Sequence, residues 1–394
     1  MIRIVFMLSF FCFGTALADI QPIKVGLFSI YNPRAISVEA AGKNNLLSVA
    51  IKALPQRHGT IETAGLSVTC LERKVKIRIG KKRLFASSVT ITTQGFAKLL
   101  VGIPGKLKKR PYAGSLRISS NGGVCSVTNK VALEDYVSSV ACHEIRGGLP
   151  EALRAQAVLV RTWAMTHSNR HKKEGKDFCD LTHCQVYTGS SACDESQVSV
   201  LKKVQGVVLV FGSVLADVAY FSTCGGHTAN AGDIWGKKST REYLSGIEDG
   251  NPAYCSASPH FRWHLILKRA EVCMALSKDK ARDDCSLEII RTGIGGWVKS
   301  IRIDSGRSFF MTGENFRLLM GRTFGWGRFK SSNFVLSMNR NMIEFLGKGM
   351  GHGVGMCQYG AMNMASKGKT FRDILLHYFP HTKIESLGEM HGNN

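Results

Sequence analysis

The chain has 394 residues, room for a sizeable core and two domains, and its 52 Lys and Arg against 29 Asp and Glu give a formal charge of +23. Chains this basic favour nucleic acid, an anionic membrane surface or an acidic polymer. After the N-terminal segment no stretch reaches about 18 uninterrupted apolar residues, which excludes a helical membrane span there.

Residues 1–18 read as a secretory signal peptide: Arg3, an apolar run from Ile4 to Gly14, and Ala16-Leu17-Ala18 ahead of Asp19. The expectation is cleavage after Ala18 and export to the periplasm or cell envelope, with an uncleaved anchor as the alternative. Export argues against nucleic acid and leaves anionic envelope polymer or membrane surface. Basic clusters at Arg73 to Arg83, Lys106 to Arg110 and Arg170 to Lys173 share one sign. Cleavage would leave eleven of the 12 cysteines. An odd number in an oxidising compartment leaves at least one unpaired within the chain. Spacing gives no connectivity, and reduced or metal-bound thiols stay open.

Residues 19–128 are predicted to be a β-rich N-terminal region. Ile23 to Phe28 and Val75 to Ile79 alternate with period two, and Gly80-Lys81-Lys82, Gly102 to Gly105 and Ser120 to Gly123 punctuate them. A helix is predicted from Leu133 to the stop at Gly147-Gly148. A second follows Pro150 and runs from Ala152 to His167, with Leu153, Ala157, Val160 and Ala164 as its core stripe. Val204 to Phe211 and Val214 to Phe221 read as a hairpin. Residues 240–345 mix hairpins with a helical piece near Ala270. Gly349 to Gly355 is a glycine-dense loop leading into a helix near Met356, and a last helix spans Phe371 to His377. The expected fold class is α+β: mixed helices and antiparallel strands, with the β-rich part packed against a catalytic core lining a groove. The core is expected over 129–385, with a tail at 386–394.

Glu144 carries the strongest chemical signal. Leu133, Val137, Val140 and Glu144 fall at i, i+4, i+7 and i+11, one stripe of a helix. A carboxylate on an apolar stripe either meets a cation, here Arg146 or Arg161, or sits half-dry with a raised pKa. The second case describes a general acid.

The blocks Leu133 to Glu144, Leu153 to Ala164, Thr182 to Tyr187, Phe221 to Gly226 and Gly351 to Ala361 together resemble the stage II sporulation protein D family. Thr312-Gly313-Glu314 and Leu318 to Gly321 fit its weaker middle, and the similarity spans roughly residues 125–385. The resemblance implies a peptidoglycan lytic transglycosylase that cuts between N-acetylmuramic acid and N-acetylglucosamine and leaves a 1,6-anhydro end. Its catalytic glutamate maps onto Glu144. Hydrolytic glycosidases usually need two carboxylates, whereas this reaction needs one, acting as acid and then as base, and no cofactor. An N-acetylmuramoyl-L-alanine amidase is an implied partner, and peptide-stripped glycan strands suit the basic surface.

Candidate glycan contacts are Arg161, Gln185, Tyr187, Ser222, Thr223, His352, Gln358 and Tyr359. His352 stands between two glycines, where bare backbone lets a ligand approach, or where the glycines serve only a tight turn. Arg161 is expected to hold substrate or backbone carbonyls rather than Glu144, because a contacting cation would spoil the acid. His171, Cys179, His183 and Cys184 form a candidate structural zinc set, with disulfides as the alternative for the two cysteines. The family pattern departs at Cys224 and Cys357, where relatives commonly carry serine, and Cys142 and His143 crowd the glutamate. These leave the acid in place and add a redox-sensitive character. Two other functions stay in view: a non-catalytic peptidoglycan-binding scaffold, and a zinc-dependent amidase using His171 and His183, with or without His352, around an open metal position.

Overall fold

Period-two alternation becomes buried sheet in the first third of the chain. A computed structural model describes residues 21–52, 58–95, 97–190, 192–277 and 284–388, so the expected signal peptide lies outside the described residues. Val124–Val131 and Gly65–Cys70 each turn alternate side chains inward, and they belong to two sheets that share one apolar core. The first sheet has seven strands, in the order Phe178–Cys179, Ile23–Leu27, Val124–Val131, Ser115–Asn121, Ser88–Thr93, Leu47–Lys52 and His58–Thr63. The second has six, in the order Leu107–Tyr112, Leu99–Ile103, Ala35–Ala40, Gly65–Cys70, Val75–Ile79 and Lys82–Ala86. A disulfide between Cys70 and Cys125 ties one sheet to the other.

Helix α1 (Leu133–Glu144) leaves the first sheet directly, with Glu134 and Asp135 in its first turn. Gly147, at φ 63°, helps turn the chain into α2 (Pro150–Thr166), where Pro150 occupies the first turn as expected. Helix α3 (Glu195–Lys202) begins in a capping box made by Asp194 and Gln197. The short α4 (Ala231–Trp235) follows, then α5 (Arg269–Leu276), α6 (Gly313–Phe324), α7 (Gln358–Ser366) and α8 (Phe371–Tyr378). Helix α2 is the hub, packing on α1, α3, α7 and α8. Its stripe of Leu153, Ala157, Val160 and Ala164 is buried as the periodicity requires.

The architecture is α+β, as expected. The anticipated boundary at residue 128 does not divide the core, because the N-terminal sheets and α1 and α2 contribute to one hydrophobic cluster. The division falls later. Arg262–Lys268, Phe334–Met338 and Met342–Lys348 form one three-stranded sheet, and Ser286–Thr292, Val298–Asp304 and Ser308–Thr312 form another. With α5 and α6 they enclose a separate core around Phe316, Phe329, Phe334 and Phe345. The expected second strand of the 204–221 hairpin also splits. Val214–Leu215 pairs with Val207–Phe211, whereas Tyr220–Phe221 runs parallel to Met356–Cys357. That parallel pair joins the Ser222-Thr223 block to the glycine-rich loop and positions the site.

Candidate active site

Glu144 is the last residue of α1, and its stripe partners Leu133, Val137 and Val140 are buried beneath it. Three constraints hold this helix end. Cys142 is joined by a disulfide to Cys193, the Ser139 hydroxyl donates to the Gly189 carbonyl (2.6 Å), and α2 packs alongside. The Glu144 side chain is partly buried. Burial raises its carboxyl above the ordinary glutamate value of 4.5, and a hydrogen bond from Gln358 offsets part of that rise. The Gln358 amide donates to Glu144 Oε2 (3.1 Å) and also lies 3.4 Å from Gln156 Oε1. The glutamate therefore faces a neutral amide rather than a cation.

The cations that could have neutralised it are engaged elsewhere. Arg161 is 1 % exposed, and its guanidinium donates to both Glu134 oxygens (2.7 and 2.6 Å) and to the Val207 carbonyl (2.7 Å). A fully buried guanidinium with these partners does not reach glycan, so Arg161 is a structural residue; the expected backbone-carbonyl bond is present. Arg146 turns to His143 Nδ1 (3.2 Å). Burial lowers the His143 pKa, and Arg146 and Arg110 lower it further, which locates two cations beside the glutamate's neighbour.

The glycine-flanked histidine also differs from expectation. His352 Nδ1 accepts from the Val354 N–H (3.1 Å) and Nε2 donates to the Tyr220 carbonyl (3.1 Å). Both ring nitrogens are thus spent on backbone. The ring lies against Phe221 and Trp235, and burial pushes its pKa down to about 4. His352 is a neutral brace between the glycine loop and the Tyr220–Phe221 strand, with no nitrogen left for a sugar. Gly353, at φ 88°, carries the loop over the face of Trp297, where a Cβ would come within 2.5 Å of the ring.

Other candidates are also internal. Tyr187 is 2 % exposed, stacks on Tyr136 and donates to Asn129 Oδ1 (2.7 Å). Gln185 accepts from the Tyr136 hydroxyl (3.1 Å) and donates to the Tyr220 hydroxyl (3.2 Å). Thr223 is buried and shares a hydrogen bond with Ser258 (2.8 Å). These three support the site from within and do not offer glycan contacts. Ser222 and Tyr359 are partly exposed and lie together, the Tyr359 N–H donating to the Ser222 carbonyl (3.1 Å). Sequence reasoning assigned no role to Gln156, buried on α2 beside Gln358, nor to Tyr220, whose phenol is close enough for the Glu144 charge to oppose its ionisation. Gln156 could have been noticed as an amide three residues after Leu153 on an apolar face. Tyr220 carried no such signal.

His171, Cys179, His183 and Cys184 do come together, all four donor atoms lying within 4.8 Å of one another. Cys184 Sγ lies 3.5 Å from both His171 Nε2 and His183 Nδ1, and Cys179 Sγ lies 3.8 Å from His183 Nδ1. Those separations match the edges of a tetrahedron with zinc bonds of about 2.0–2.3 Å. His171 Nδ1 pairs with Glu174 (2.9 Å), which leaves Nε2 facing the group as an outer partner would arrange. The adjacent His183 and Cys184 can both face inward because the Cys184 N–H closes a turn onto the Leu181 carbonyl (3.0 Å). The donor set fits zinc. His352 is committed elsewhere, so the amidase arrangement of His171, His183 and His352 is not formed.

A family model described as "Stage II sporulation protein" matches residues 121–211, the stretch holding α1, α2 and this cluster. An uncharacterized protein of Brachyspira hyodysenteriae is 31% identical over 92% of this chain and 93% of its own length. The stage II sporulation protein D of Bacillus amyloliquefaciens is 29% identical over 71% of this chain and 80% of its own length. An amidase enhancer of Bacillus subtilis is 27% identical over 60% of this chain, which spans only 38% of that protein. The chain belongs to the stage II sporulation protein D family.

Proposed function

We propose that this cell-wall-related protein is a peptidoglycan lytic transglycosylase with Glu144 as its acid and base. One observation carries the reading: Glu144 is a half-buried carboxyl with a raised pKa, held by the neutral amide of Gln358. Such a group holds its proton closer to neutrality than a solvated glutamate does. It would protonate the glycosidic oxygen as the muramoyl C1–O bond breaks, and N-acetylglucosamine would leave with its hydroxyl restored. The resulting carboxylate would then take the proton of the C6 hydroxyl while O6 bonds to C1. No water is consumed, and Glu144 ends protonated as it began.

The remaining residues fit this assignment as support. Gln358 is a positioning residue that aims the carboxyl, and Gln156 backs it. Ser222 and Tyr359 are the surviving candidates for glycan contact. Arg110 and Arg146 lie near His143, where they would attract lactyl carboxylates on stripped glycan. His171, Cys179, His183 and Cys184 would hold a structural zinc that stiffens the segment leading to Gln185. Export after removal of residues 1–18 would deliver the chain to its substrate.

A second reading rests on the relative named amidase enhancer: the chain binds peptidoglycan and aids an amidase without cutting glycan itself. Mass spectrometry of the soluble products from purified sacculi separates the two. The first reading predicts anhydro-muramoyl fragments from the wild type and a loss of about 10²–10⁴-fold in their rate for Glu144→Gln. Equal release by both proteins refutes the assignment of Glu144. Binding to sacculi with no release supports the second reading.

A further inference from the structure

Among the described residues every cysteine outside a disulfide lies in one of two clusters. Cys179 and Cys184 belong to the loop group. Cys224, Cys255 and Cys357 lie with Asp249 in a second group that is entirely buried, its four donor atoms within 4.8 Å of one another. We propose that Cys224, Cys255, Cys357 and Asp249 form a second, closed binding site for one zinc ion. The inference is independent of the reaction proposed above.

Geometry is the first argument. Cys224 and Cys255 Sγ are 3.4 Å apart, too far for a bond between sulfurs and close to the roughly 3.8 Å edge of a tetrahedron of thiolates at about 2.3 Å from zinc. The backbone supplies the second argument. Cys357 Sγ accepts from the N–H groups of Cys224 (3.3 Å) and Gly360 (3.4 Å), and Cys224 Sγ accepts from the Gly226 N–H (3.4 Å). Donors aimed at sulfur stabilise the charged thiolate that a metal requires. Asp249 is oriented in the same way, with Oδ1 accepting from the Tyr378 hydroxyl (2.5 Å) and Oδ2 from the Cys255 N–H (2.8 Å). Each oxygen keeps a lone pair for an ion. Outer hydrogen bonds that fix a ligating carboxylate are the usual surroundings of a metal site.

Donor chemistry selects the ion. Three thiolates and one carboxylate, enclosed with no open position, suit four-coordinate zinc and disfavour magnesium or calcium, which prefer all-oxygen shells. Binding would convert three thiols to thiolates, form three zinc–sulfur bonds and one zinc–oxygen bond, and release the thiol protons to solvent with no change of oxidation state. The ion would clamp parts far apart in sequence: the Tyr220–Phe221 strand through Cys224, the 249–255 turn, and the start of α7 through Cys357. Gln358 is the next residue, so the clamp would set the amide that faces Glu144. Packing here is already tight, since a Cβ on Gly360 would collide with the Tyr378 hydroxyl.

The test is metal content by plasma mass spectrometry on the purified exported chain. Cys179→Ser/Cys184→Ser removes two donors of the loop cluster, and the proposal expects this variant to keep one zinc per chain. Adding Asp249→Asn and Cys255→Ser should remove that zinc. Because the combined variant could fail to fold, cobalt(II) is also exchanged into the Cys179→Ser/Cys184→Ser chain. Tetrahedral ligand-field bands with intense thiolate-to-cobalt charge transfer support the site. A folded Cys179→Ser/Cys184→Ser chain that carries no metal and takes up no cobalt overturns it. So does recovery of Cys224 and Cys255 as a disulfide from the native protein.

Discussion

Replacing Glu134 with Gln distinguishes a structural Arg161 from a substrate-binding one. In the wild type the guanidinium, 1 % exposed, is neutralised by a carboxylate 26 % exposed. The Gly206 N–H adds a bond to the same carboxylate (3.3 Å). Glu134→Gln keeps the shape and leaves a buried cation with one carbonyl and one amide oxygen. Breaking a buried pair in this way costs about 3–5 kcal/mol. Water reaches one side of Glu134, so the lower end, about 3 kcal/mol, applies. At roughly 2 °C per kcal/mol for a protein larger than 250 residues, the melting temperature should fall by about 6 °C. Thermal melting by circular dichroism reads the first effect, and sacculus digestion well below the transition reads the second. KM for glycan should be unchanged in the folded fraction. Replacing both members, Arg161→Met with Glu134→Leu, should recover much of the loss, because no unpaired charge remains. A raised KM with an unchanged melting temperature would refute this structural role for Arg161.

Three further outcomes follow from the site. Gln358→Leu removes the hydrogen bond that favours ionised Glu144, so the alkaline limb of the activity profile should move to higher pH; a shift to lower pH contradicts the geometry. His352 is held neutral with a pKa of about 4 against 6.5 when unfolded, so its contribution to stability is present above 6.5 and is lost as pH falls towards 4. The ceiling of that loss is about 3 kcal/mol, reduced by the partial exposure of the residue, and His352→Gln should flatten this part of a melting curve measured against pH. Gly353→Ala meets both a left-handed backbone and the Trp297 ring, and should cost about 1–3 kcal/mol in a denaturant titration, together with lowered glycan cleavage.

Local pattern carried much of the fold. The strand Val75–Ile79 forms over the residues the alternation indicated, and α1 and α2 start and stop within a few residues of the signals at Leu133, Gly147 and Pro150. Glu144 was legible for the same reason: helical period alone puts it on the buried stripe. What stayed hidden depends on partners distant in sequence. The Tyr220 carbonyl that occupies His352 arrives through a parallel strand pair, and no local pattern announces such a pairing. The Glu134 that claims Arg161 lies on the neighbouring helix, so the arginine's type suggested a ligand clamp where packing required a buried ion pair. Gln185, Tyr187 and Thr223 were judged by chemistry and are decided by burial. The separate core around Phe316 and Phe345 likewise emerges only when its two three-stranded sheets are assembled.

The account depends on the protonation of one side chain. Infrared difference titration of the wild type against Glu144→Gln isolates the carboxyl band of Glu144. The structure predicts a midpoint above the ordinary glutamate value of 4.5, because burial opposes the charge and no cation answers it. A midpoint at or below that value would show an ionised, well-solvated glutamate, and the acid on which the proposed reaction depends would be absent.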